Sequence, residues 1–157
     1  NGREVYLGWL RHTYQTAKEL GARQPIGVSV AATVDHLSLV ESCCDVLMIH
    51  PYFAPQVPWE AVQAFAREKN KPLLATECCW GSVDDARRVQ LIEADFSTFQ
   101  QQHIGFLAHA LHESYVADLH RPQYGVLSSA EYMAFIHIDG TLRAGHEIFN
   151  RYAPAPN

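Results

Sequence analysis

Charge of either sign is scarce in this chain: Asp, Glu, Lys and Arg make up 18% of its 157 residues. Acids outnumber bases by 17 to 12, for a formal charge of −5. Without a basic excess there is nothing to attract a phosphate backbone, which excludes an electrostatic nucleic-acid binder. No apolar run approaches the ~20 residues of a membrane-spanning helix. The glycines form no phosphate cradle: G-x-G-x-x-G, G-x-x-x-x-G-K-[ST] and the G-x-S-x-G elbow are all absent. Nine His residues include no H-E-x-x-H and no pair at i, i+4 beside a carboxylate, so neither a metal nor another cofactor is expected. The four Cys occur as adjacent pairs, Cys43-Cys44 and Cys78-Cys79, a spacing that suits neither a zinc ribbon nor a small disulfide scaffold. They are expected to be buried free thiols, and they leave the compartment open. The opening Asn1-Gly2-Arg3-Glu4 reads as neither an initiator Met nor a signal peptide. Hydrophobic residues make up 48% of the chain, enough for one compact core at this length.

Two hydrophobic periods alternate along the sequence. Leu7, Leu10, Tyr14 and Ala17 repeat at helical spacing and Gly21 is a stop signal. Ile26 to Ala31 reads as a short buried strand after Pro25. Asp35 is expected to cap a helix running to about Ser42. Val46 to His50 is the next strand. Pro58 opens a helix whose inward face is Trp59, Val62, Phe65 and Ala66. Leu73 to Glu77 is a third strand. Ser82-Val83-Asp84-Asp85 resembles a capping box, ahead of the stripe Val89, Ile92, Phe96 and Phe99. Ile104 to Leu111 is a fourth strand. Asp139-Gly140 suits a hairpin turn, and a last helix is expected from about Gly145 to Tyr152. Alternating helices and short apolar strands predict an α/β fold with a parallel sheet.

Parallel strands place all their C-terminal ends on one side, where ligands of α/β folds bind. His50, Tyr52, Glu77 and His109 all fall at or near such ends. Glu77 alone reads equally well as a carboxylate escaping to solvent. Trp80 follows it closely and offers a flat apolar face, as does Phe53. A sugar ring is apolar on its faces and polar on its edges, so aromatic planes with carboxylates and imidazoles suit it. A carboxylate so placed can attack an anomeric carbon or act as a general base. Residues two apart on a strand end point the same way, which puts Tyr52 beside His50. A phenol there can hydrogen-bond the carboxylate and keep it ionised. His109, inside an apolar strand, reads first as a structural histidine.

The segments 46–52, 71–81 and 105–111 resemble strands six, seven and eight of cellulase-like glycoside hydrolases, in the (β/α)8 clan that includes glycoside hydrolase family 5. The resemblance implies a partial TIM barrel, with residues 1–157 forming strands five to eight and their helices. It implies Glu77 as the nucleophile of a retaining hydrolase acting on β-glycosides. Tyr52 and His50 match the strand-six His-x-Tyr, and His109 stands where a sugar-stacking Trp is common. Cys79 takes a position that is usually Gly. The family's proton donor lies in an Asn-Glu pair at the end of strand four, and no Asn-Glu occurs in this sequence. The chain begins with what resembles the helix after strand four. The resemblance therefore implies a missing N-terminal half-barrel as partner, little activity for this segment alone, and open edges that favour self-association. Glu113, just past strand eight, is a substrate contact or a substitute acid. Two other readings stay open: a non-catalytic carbohydrate-binding or inactive barrel relative, and an unrelated α/β domain.

Overall fold

A computed structural model of the chain describes residues 2–111, 133–137 and 139–153. Helix α1 spans Gly2–Glu19, strand β1 Ser29–Ala31, α2 Val34–Val40 and β2 Leu47–His50. Then come α3 at Trp59–Glu68, β3 at Leu73–Cys78, α4 at Asp85–Gln102, β4 at Gly105–Ala108 and α5 at Ile148–Tyr152. Two short 3-10 turns, Glu41–Cys43 and Ala54–Gln56, precede and follow β2. The strands form one four-stranded sheet in the order β1-β2-β3-β4, every neighbouring pair parallel. The α/β class and the parallel sheet are therefore as the alternating periods predict, and the arrangement is consistent with part of a barrel.

One face of the sheet is packed. Leu47 and Ile49 of β2 and Ala75 of β3 are fully buried. They join Leu7 and Leu10 of α1, Leu37 and Val40 of α2, Val62 of α3 and the α4 stripe Ile92, Phe96 and Phe99 in one core. The alternate residues, Met48 and His50 of β2 and Leu74 and Thr76 of β3, are only partly covered, and Leu107 of β4 is 57% exposed. With a side-chain period of two, such a sheet has one packed face and one open face.

Several local details differ from the sequence expectation. The run Ile26 to Val28 is not part of the ladder. The Asp45 carboxylate accepts from the Ile26 amide at 2.8 Å, while the Ile26 carbonyl accepts from Asp45 N–H at 2.6 Å. That side-chain tether replaces strand pairing and leaves β1 three residues long. The cap of α2 is Thr33, whose hydroxyl accepts from His36 N–H, and Asp35 sits in the first turn. The cap of α4 is Asp84, which accepts from Arg87 N–H at 2.7 Å. Ser82 instead accepts from Asp84 N–H in the preceding turn. Pro58 is the flanking residue of α3, one step before the helix. Strand β4 ends at Ala108, so His109 follows the strand. The expected stop after α1 is present: Gly21 has φ +87° and the chain closes with Ala22 N–H donating to the Ala17 carbonyl, a left-handed closure that glycine adopts without a Cβ clash. Around Asp139-Gly140, Ile136 and Leu142 form an antiparallel bridge. All four cysteines are free and buried, with the two pairs at opposite ends of the sheet.

Candidate functional site

The site is built by register. Leu47, Met48 and Ile49 pair with Leu73, Leu74 and Ala75, which carries His50 to the side of Thr76 and Glu77. The β3–β4 ladder shifts between Ala75 and Cys78. Such a bulge re-aims side chains, and here Thr76 and Glu77 both stay out of the buried layer that Ala75 and Cys78 share. Cys78 pairs with Ala108, and His109 N–H donates to the Cys78 carbonyl at 3.0 Å, which brings His109 beside the end of β3.

Glu77 consequently lies between two imidazoles. One carboxylate oxygen is 3.5 Å from His50 Nδ1 and the other is 3.9 Å from His109 Nε2. Both distances exceed a good N–H···O bond, and both contacts gain strength when the imidazoles are protonated. Glu77 is 29% exposed, open enough for a ligand to reach. Above it, Tyr52 stands edge-on to three rings: Trp80 at 5.4 Å, His109 at 6.3 Å and His50 at 6.4 Å. Phe53 and Trp80 lie at 5.5 Å with planes tilted by 35°. Edge-to-face and tilted pairs are the favoured geometries of aromatic quadrupoles. Together they leave a partly exposed aromatic wall next to a carboxylate.

Six of the seven residues singled out in the sequence come together here: His50, Tyr52, Phe53, Glu77, Trp80 and His109. The seventh, Glu113, lies outside the described residues, as does His112. The expected phenol–carboxylate bond is not how Tyr52 meets its neighbours. Among the described residues no hydrogen bond joins it to Glu77, and it makes its contacts through the ring. Among the described residues, no group of three His, Cys, Asp or Glu is placed to hold a metal ion.

One residue below the site escaped sequence reasoning. Asp95 of α4 is buried, and its carboxylate accepts from Ala54 N–H at 2.8 Å and Cys79 N–H at 3.2 Å. Burial raises its carboxyl to about 6, against the opposing pull of those two amides. The signal was present: positions 92, 95, 96 and 99 share one helical face, and an acid sits in the middle of that apolar stripe. A second set lies at the N-terminus of α4. Arg143 donates to Asp85 at 2.7 Å and to the Ser82 carbonyl at 2.8 Å, and Arg88 donates to the Ala144 carbonyl at 2.7 Å. These contacts bind the tail segment to the loop after β3.

No protein-family model matches the sequence, and no curated protein matches it significantly. Solved structures do resemble it. An FMN-binding beta-glucuronidase from Facaelibacterium prausnitzii superposes with a TM-score of 0.70 at 13% identity, over 97% of this chain and 27% of that one. A GH2 beta-galacturonidase from Eisenbergiella tayi, bound to galacturonate, gives a TM-score of 0.69 at 15% identity, over 96% of this chain and 30% of that one. At such identities the likeness is one of fold. The chain thus has a glycoside hydrolase-like fold, and it spans less than a third of the length of these neighbours.

Proposed function

We propose that this chain is the strand-five-to-eight half of a (β/α)8 glycoside hydrolase of the cellulase-like clan, and that Glu77 is its nucleophile. The observation that carries the reading is the position of Glu77: near the C-terminal end of a parallel strand, flanked by His50 and His109, whose rings meet Tyr52, which in turn meets Trp80 and through it Phe53. Support comes also from the fold of the neighbours, whose names, beta-glucuronidase and beta-galacturonidase, suggest β-linked glycosides as the substrate class.

In this reading a sugar rests on Trp80 and Phe53 with its anomeric carbon over Glu77. The carboxylate attacks, the glycosidic bond breaks, and a glycosyl ester forms on Glu77. His50 and His109 hold the carboxylate between them and contact sugar hydroxyls, and Tyr52 buttresses both. A retaining hydrolase needs a second carboxyl about 5–5.5 Å from the first, to protonate the leaving oxygen and then deprotonate water. The partners of Glu77 among the described residues are imidazoles, so that carboxyl is assigned to a preceding half-barrel, the proposed partner of the open sheet face. Alone, the chain is then a poor catalyst and prone to pair through that face.

A dinitrophenyl β-glycoside tests this, because its leaving group departs without a proton. The chain should release about one equivalent of phenolate and then stall, since hydrolysis of the ester needs the absent base. Glu77→Gln should abolish the burst while keeping sugar affinity. A non-catalytic carbohydrate-binding domain, the second reading, would bind sugar with no burst in either form.

A further inference from the structure

Asp95 is 2% exposed, and a carboxylate in such a place is costly unless it is hydrogen-bonded. Its partners are two backbone amides from two different loops. Ala54 follows Tyr52 and Phe53 after β2. Cys79 stands between Glu77 and Trp80 after β3, with φ +77°, a left-handed conformation in which a Cβ is strained. On the upper side, the same two loops meet through the Tyr52–Trp80 and Phe53–Trp80 rings.

We propose that Asp95 is a positioning residue for the candidate site, whose single carboxylate ties the loop after β2 to the loop after β3 and so fixes the aromatic wall relative to Glu77. It touches no substrate and acts only through the two loops. The clamp stands on its own geometry, while its consequence for sugar rests on the reading proposed above. Protonation leaves one full carbonyl acceptor and makes the other oxygen a hydroxyl, a weaker acceptor, so the clamp is tightest when Asp95 is ionised and loosens on one side when it is not. Burial places that change near pH 6. Among the described residues, Asp95 answers to burial and to the two amides alone, and it acts in turn on the Cys79 thiol, whose other titratable neighbours are the Cys78 thiol and Arg88 of α4. The turn Ala54–Gln56 brings none, and Arg151 of α5 pairs with Glu93 on the exposed side of α4.

The test follows the Ala54 and Cys79 amide resonances of the isotopically labelled 157-residue chain across pH. They should titrate together with one midpoint near 6, and neither should titrate in Asp95→Asn. Above that midpoint, Asp95→Asn should also weaken binding of nitrophenyl β-glycosides by about tenfold while unfolding stays cooperative. Amides that move independently, or not at all, in the wild-type chain overturn the clamp without any variant being needed. Unchanged glycoside affinity in a folded Asp95→Asn variant overturns the positioning role. Co-titrating amides in a wild-type chain that binds no glycoside uphold the clamp and overturn the sugar-site reading instead.

Discussion

Replacing Asp95 by Asn removes a titrating group from the core at nearly constant volume, and the stability difference it makes should depend on pH. In the folded chain the Asp95 carboxyl sits at about 6 rather than 3.8, because burial penalises its charge more than the Ala54 and Cys79 amides favour it. The folded state therefore holds this proton more tightly than the unfolded state. Between about pH 4 and pH 6 folding binds a proton at Asp95, so the contribution of this group is greatest below that window and is lost as pH rises through it. At about 1.36 kcal/mol per pH unit, the raised carboxyl corresponds to about 3 kcal/mol. Asn does not titrate. The variant should thus gain about 3 kcal/mol on the wild type between about pH 4 and pH 7, all other carboxylates cancelling in the difference. Asn also turns its amide group toward one of two N–H donors, which costs about 1–3 kcal/mol at every pH. The slope, and not the sign at one pH, is the diagnostic. Urea unfolding at several pH values, followed by tryptophan fluorescence, measures it. Stability curves that run parallel within about 0.5 kcal/mol would refute a raised, buried Asp95.

Two further outcomes follow from the packing and the charges. Phe96 is 1% exposed, stacked on Phe106 at 4.4 Å and edge-on to Tyr152 and Phe149. Phe96→Ala should lower the unfolding free energy by about 3–5 kcal/mol, and a loss below about 1 kcal/mol in urea titration would mean that the α4–α5 contact is not formed in solution. The Asp45 carboxyl is held down at about 2, by Lys18 first, then by the Ile26 amide and the Tyr14 hydroxyl. A depressed carboxyl stabilises the fold above its ordinary value near 3.8 and stops doing so as pH falls toward 2. Asp45→Asn should lower the Tm at neutral pH and flatten its fall in acid; an unchanged neutral Tm would show that this cluster does not fasten α1 to the sheet.

The order of elements was legible because the two hydrophobic periods differ sharply. Leu7 and Leu10 sit three apart, whereas Val46 to Ile49 is a continuous apolar run, and each period dictates its own geometry. The grouping of His50, Glu77 and His109 was legible for the same reason, since parallel strands carry their ends to one side. What escaped depends on contacts between distant segments. Ile26 to Val28 has the composition of a strand, but the Asp45 side chain takes the Ile26 amide. The bulge between Ala75 and Cys78 leaves no mark in composition, yet it turns Glu77 away from the core. Tyr52 is placed by its ring contacts, with His50 beside it and with Trp80 and His109 from the segments after β3 and β4, rather than by its hydroxyl. Ser82 and Asp84 are both good caps, and only the course of the preceding turn decides that Asp84 serves. Cys79, the departure from the usual Gly, proves to occupy a positive-φ position. There the missing freedom of glycine is offset by a hydrogen bond to a buried carboxylate.

The central claim is that Glu77 attacks an anomeric carbon. The most direct measurement is mass analysis of the chain after incubation with a dinitrophenyl 2-deoxy-2-fluoro-β-glycoside, whose fluorine slows breakdown of the ester. One glycosyl unit should be gained, localised by fragmentation to Glu77 within the β3 peptide and absent from Glu77→Gln. A label on another carboxylate, or on none when crystals show the same sugar seated against Trp80, would contradict the assignment.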